Sequence, residues 1–121
     1  MVYVSGSKRS TMKNCNVSHS KSYGLSVWDG GLMTIDGNAT TIHHNGTGGG
    51  GYGLRTYSFS SIHLVSPLTK EMISTNNHNG QNYSYSGTIQ TITNNNIKEE
   101  KKWTRYLYIA TNKYNRFQIV Q

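Results

Sequence analysis

The sequence predicts an all-β fold, a short parallel β-solenoid of about four coils, on three observations. Tyr23-Gly24-Leu25 returns as Tyr52-Gly53-Leu54, and Met33-Thr34-Ile35 returns as Ile62-His63-Leu64, both at an offset of 29. Val17-Ser18-His19 meets Ile42-His43-His44 at an offset of 25, and the glycine tract Gly46 to Gly51 takes up the difference. Finally, the 121 residues are 34% hydrophobic and 14% charged. That is thin material for a helical or α/β domain. Short strands with tight turns also suit an antiparallel sandwich. A sandwich gives no reason for positions at this offset to match, whereas a solenoid stacks them about 4.8 Å apart.

The elements follow in order. Val2-Tyr3-Val4 is a first β-type run, ended by Ser5-Gly6-Ser7. Cys15-Asn16-Val17 leads to Leu25-Ser26-Val27, which Asp29-Gly30-Gly31 breaks. Leu32 to Ile35 closes at Asp36-Gly37-Asn38, and Thr40-Thr41-Ile42 runs into Asn45 and the glycines. Leu54 to Tyr57 and Ile62 to Val65 complete the regular part. Each run is rich in β-branched and aromatic residues, with Gly, Asn or Asp at the bends. On this reading Leu25 lies over Leu54, Val27 near Thr56 and Ile35 over Leu64, and the glycine tract bulges outward. Met72-Ile73 and Ile89 to Ile92 are expected as strands of a further coil, with Asn76 to Asn82 as its loop.

Residues 96–121 change character and are expected to form a separate basic, aromatic segment, a hairpin or short helix capping the coils of residues 1–95. The net charge is +7, with a pI near 9.6. Residues 1–95 hold six Lys/Arg against three acids, and residues 96–121 hold six against two. Such a balance favours an anionic partner: acidic polysaccharide, nucleic acid or lipid surface. Cys15 is the single cysteine, which rules out an intrachain disulfide. No apolar run is long enough for a membrane helix, which needs about 18 residues or more. The N-terminus lacks the basic and apolar regions of a signal peptide. Either the protein is not exported that way, or the chain begins inside a longer, exported product and works outside the cell.

The segment Ser10 to Val17, then Tyr23-Gly24-Leu25, then Met33 to Asn38, with Thr41-Ile42-His43-His44-Asn45, resembles the right-handed parallel β-helix repeats of the pectate-lyase-like superfamily. The likeness covers roughly residues 2–65 and implies the right hand of the coil. It also implies a link to acidic polysaccharides, since members cleave, epimerise or bind them. By the same resemblance a lyase would use Arg55 as the base, with Asp29 or Asp36 holding calcium. The hydrolase motifs of the superfamily are missing, and the two aspartates are not adjacent.

Other motifs invite chemical readings that their context does not support. Gly46-Thr47-Gly48-Gly49-Gly50-Gly51 formally matches G-x-G-x-x-G, but no helix or later acidic residue supports a dinucleotide site. His43, His44 and His63 suggest a metal site with Asp36; in a strand, however, His43 and His44 point to opposite faces. They are therefore read as surface or turn histidines, and no metal or cofactor is expected. The tail interleaves Lys98, Lys101, Lys102, Arg105, Lys113 and Arg116 with Trp103, Tyr106, Tyr108 and Tyr114. That composition suits single-stranded nucleic acid, without a recognised motif.

The candidate binding residues are Trp28, Asp29, Arg55 and Tyr57. At an offset of 29, Trp28 stacks beside Tyr57, Asp29 beside Ser58 and Arg55 on Ser26. With Ser26, Trp28, Arg55 and Tyr57 outward they form an aromatic platform beside a cation, where sugar rings and carboxylates are held. A surface ladder of paired aromatics is the alternative. The expected function is a non-catalytic module for an acidic glycan or another surface partner, including neighbouring coils or a second copy.

Overall fold

Short apolar–x–apolar runs broken by Gly, Asn and Asp can bury one face only by stacking on copies of themselves. In the computed structural model, which describes residues 1–93, they do so. The first coil contains β1 (Val2–Ser5), β2 (Arg9–Lys13) and β3 (Asn16–Ser18). The second contains β4 (Leu25–Trp28), β5 (Leu32–Asp36) and β6 (Thr41–His43). The third contains β7 (Leu54–Thr56), β8 (Ser61–Val65) and β9 (Ser74–Thr75), and β10 (Tyr83–Tyr85) and β11 (Thr88–Ile92) begin a fourth. Three sheets result, in the orders β1-β4-β7-β10, β11-β8-β5-β2 and β3-β6-β9. We call them the first, second and third sheets. Strand pairing is parallel throughout the first three coils. The fold is an all-β parallel solenoid of about three turns.

The register is the one the repeat predicts. Leu25 pairs with Leu54 and Val27 with Thr56, Ile35 with Leu64, and Val17 with Ile42. These inward rows make the core: Leu25, Val27, Ile35, Ile42, Leu54 and Ile62 have no solvent exposure. Each such side chain contributes about 2 kcal/mol through burial. The first coil is shorter than the second, since β4 meets Val2 at Leu25 on one side and Leu54 on the other.

One expectation is corrected. Met72-Ile73 is not strand: Lys70–Ile73 is a one-turn helix (α1) that Thr69 caps by accepting the Met72 amide, and β9 follows it. The glycine tract leaves the stack undisturbed, its residues 47–50 exposed and its stem tied down. The amides of Gly46 and Thr47 donate to the Ser20 carbonyl, and that of Gly48 to Lys21. A Cβ on Gly48 would sit 2.9 Å from the Lys21 oxygen, so close docking requires glycine there.

Residues Met1–Thr91 form one compact unit. The expected capping segment 96–121, with its basic and aromatic residues, lies outside the described residues. No helix among the described residues is long and apolar enough to cross a membrane.

Candidate functional site: an aromatic and cationic face

Alternation in β4 and β7 sends Leu25, Val27, Leu54 and Thr56 inward and leaves Ser26, Trp28 and Arg55 on the outer face of the first sheet. Trp28 and Tyr57 then stack from successive coils, with ring centres 3.7 Å apart and planes 24° from parallel. The Arg55 guanidinium carbon lies 4.1 Å from the Tyr57 ring centre and 5.3 Å from that of Tyr52. One Arg55 nitrogen donates to the Ser84 hydroxyl, from β10. Its Nε is buried with no hydrogen-bond partner. The indole N–H of Trp28 donates to the Ser26 hydroxyl. Ser26 faces outward but is covered over, with 1% of its surface exposed.

Three of the four predicted residues are therefore brought together, each half-buried. The fourth is apart. Asp29 is exposed in the turn beyond Trp28, at φ 49°, with no hydrogen bond or ion pair to the other three. Asp36 ends β5, where its carboxylate accepts the Gly37 amide at 2.7 Å. About 13 Å of strand separates the turn of Asp29 from Asp36, so the two do not share a site.

Sequence reasoning missed three tyrosines of this face. Tyr3, from β1, has its ring centre 6.5 Å from that of Trp28. Tyr52 meets Arg55. Tyr23 hydrogen-bonds Tyr57, and that bond, followed by burial, holds its phenol above the usual value of 10.0. The Tyr23-Gly24-Leu25 and Tyr52-Gly53-Leu54 repeat contained the signal for two of them. Tyr3 was hidden by the shorter first coil.

A groove of about 520 Å³ lies beside the next turn, lined by Ser58, Phe59, Ser61, Ser86 and Thr88 among others. Phe59 is 95% exposed at φ 57°, where the previous coil has Gly30. The groove includes none of the four predicted residues.

The histidines depart from expectation. His43 ends β6, but His44 turns into the left-handed region at φ 54°. The two rings therefore meet edge to face, 4.9 Å apart, instead of pointing to opposite faces. His19, one coil earlier, joins them, while His63 lies on the second sheet. Among the described residues no group of three His, Cys, Asp or Glu side chains could hold a metal ion. No protein-family model, curated protein or solved structure matches this chain.

Proposed function

We propose that the solenoid is a non-catalytic binding module whose first sheet recognises an acidic polysaccharide, or another carboxylate-bearing surface. One observation carries the reading: the cation of Arg55 lies against the Tyr57 ring, which stacks on Trp28, all on an outward face. Aromatic faces accept the C–H side of a sugar ring, and a guanidinium accepts a carboxylate through paired N–H donors. Ser84 and Tyr57 hold Arg55 in place, which lowers the ordering cost of binding. Asp29 stands at the rim, where it accepts ligand hydroxyls and disfavours a second carboxylate. The likeness to pectate-lyase-like repeats supports the same ligand class.

The test is calorimetric titration with oligogalacturonate and with its methyl ester, which removes charge while keeping the rings. The acid form is expected to bind, the ester at least tenfold more weakly, and Trp28→Ala and Arg55→Gln to weaken the acid form at least tenfold. Equal binding of acid and ester would end the reading. Calcium-dependent release of unsaturated uronates would instead establish a lyase.

A further inference from the structure

Charge is unevenly spread along the solenoid. Of the six Lys and Arg in residues 1–93, four (Lys8, Arg9, Lys13 and Lys21) precede the first acid, Asp29. All four are exposed. The one ion pair among the described residues, Lys70 with Glu71, lies in the third coil. The other two cations, Arg55 and Lys70, are outnumbered by Asp29, Asp36 and Glu71. The first coil and the segment leaving it are therefore basic, and the following coils are close to neutral. The same coil ends every sheet, since β1, β2 and β3 each stand at a sheet edge with one neighbouring strand.

An edge strand offers a row of backbone groups on its open side. At β2, the Lys8 carbonyl accepts the Leu32 amide and the Asn14 amide donates to the Asp36 carbonyl. By alternation, Arg9, Thr11 and Lys13 direct their amides and carbonyls away from β5. Of these groups, the Lys13 carbonyl accepts the Cys15 thiol at 3.3 Å. The three side chains also share one face of the strand, and all are exposed. On the other face Met12 turns inward, yet keeps 7% of its surface exposed where Ile35, its neighbour in the second coil, keeps none. Val2 and Val17 are likewise half-buried beside the fully buried Leu25 and Ile42. The inward rows thus end on residues left partly uncovered.

We infer that the open side of β2 is a docking edge for an extended acidic segment of a protein partner, which joins the second sheet as a further strand. Strand addition takes its affinity from backbone hydrogen bonds and its specificity from alternate side chains. Arg9 and Lys13 lie about 13 Å apart along the strand, so the matching pattern is acid–apolar–x–apolar–acid. The acids sit beside the two cations, where opposite charges on neighbouring strands attract. The apolar residues cover Met12 and the open end of the core. The stack already uses this pairing on the inner side, where Lys13 is in register with Asp36. Lys on an edge also keeps unwanted strands away, and cations of a single sign select an acidic one. A second copy meeting this edge with its own first coil would set four cations against four, which disfavours it. A polysaccharide or nucleic acid has no amide ladder or alternating apolar row to offer. The inference stands apart from the glycan reading, because it uses the edge of a different sheet.

Titration of the whole chain with a fluorescently labelled Glu-Val-Thr-Val-Glu peptide, capped at both ends, tests it. Two controls are the same peptide with Lys for Glu, and one N-methylated at two successive central residues, so that a blocked amide faces β2 in either register. The acidic peptide is expected to bind with a dissociation constant at or below about 100 µM, and both controls at least tenfold more weakly. Arg9→Glu and Lys13→Glu are each expected to weaken binding at least tenfold, and the double variant to prefer the Lys peptide. Arg55→Gln, on the first sheet, should leave it unchanged. A cooperative melt checks that each variant folds. Should Arg9→Glu fail to fold, the exposed Lys13→Glu decides alone. No saturation by about 1 mM peptide, wild-type affinity in Lys13→Glu, or equal binding of either control would overturn the docking edge. So would displacement of the peptide by single-stranded DNA as readily as by unlabelled peptide at equal charge. Sedimentation showing a dimer that Lys13→Glu abolishes would overturn it in favour of a second copy.

Discussion

Two ladders run along this solenoid, and their chemistry differs as their surroundings do. At the inner corner, Asn45 and Asn77 stack from successive coils, with 0% and 4% exposure. The Asn77 side chain accepts the Asn45 amide and lies within reach of Ile42, Ser74 and Asn82. On the outer face of the first sheet, Trp28, Tyr57 and Arg55 stack in the same periodic way but remain half-exposed. The inner ladder satisfies buried backbone groups that have no water to turn to. The side chains of the outer ladder satisfy no backbone group and pair only with one another and with the Ser26 and Ser84 hydroxyls. The first kind of stacking is required by the fold. The second is free to serve a ligand.

The largest effect should fall on the inner ladder. Asn45→Ala strips partners from the Ser20 amide and from two carbonyls, and leaves Asn77 short of one. Each orphaned buried group costs about 1–3 kcal/mol, so a loss of about 3 kcal/mol or more is expected in urea unfolding. Trp28→Ala should cost only about 1 kcal/mol in the same measurement, the scale of a cross-strand aromatic pair, while removing most oligogalacturonate binding. Should Trp28→Ala destabilise as much as Asn45→Ala, the outer ladder is structural and the comparison collapses.

The smallest effect is a matter of pH. The Tyr23 phenol is held above 10.0 in the folded chain by Tyr57 and by burial. Its contribution to stability is therefore complete below pH 10 and declines as pH rises towards the folded value, because the unfolded chain ionises first. Tyr23→Phe should flatten the alkaline limb of a stability–pH curve and change little at pH 7.

The fold was largely legible because a solenoid writes its register into the sequence. Leu25 over Leu54 and Val17 over Ile42 follow from matched offsets alone. What escaped had local physical causes. Lys70–Ile73 folds as a Thr69-capped helical turn whose Ile73 still enters the core, and four residues are too few to show a helical period. The glycine tract docks through backbone amides, which residue types do not reveal. Among the site residues, Trp28, Arg55 and Tyr57 were legible from the repeat. Tyr3 was not, because the first coil is shorter and puts β1 out of step with the common offset. His43 and His44 meet for an equally local reason. Strand alternation separates His43 from His44 only while the chain stays extended, and a left-handed residue at His44 cancels it.

Four of the extra residues that separate successive coils are gathered at the glycine corner, where the offset grows from 25 at Val17–Ile42 to 29 at Leu25–Leu54. Gly49 and Gly50 lie at its tip, with nothing within 4 Å of where a side chain would begin. The flanking amides are already tied to Ser20 and Lys21. The molecule therefore has a natural splice point. Since closing a longer loop costs only about 0.6 kcal/mol per doubling of length, a foreign peptide grafted between these two glycines would be displayed outside the coil while the three sheets keep their pairing. The same tolerance makes this corner the place where related chains can differ in length without a slip of register.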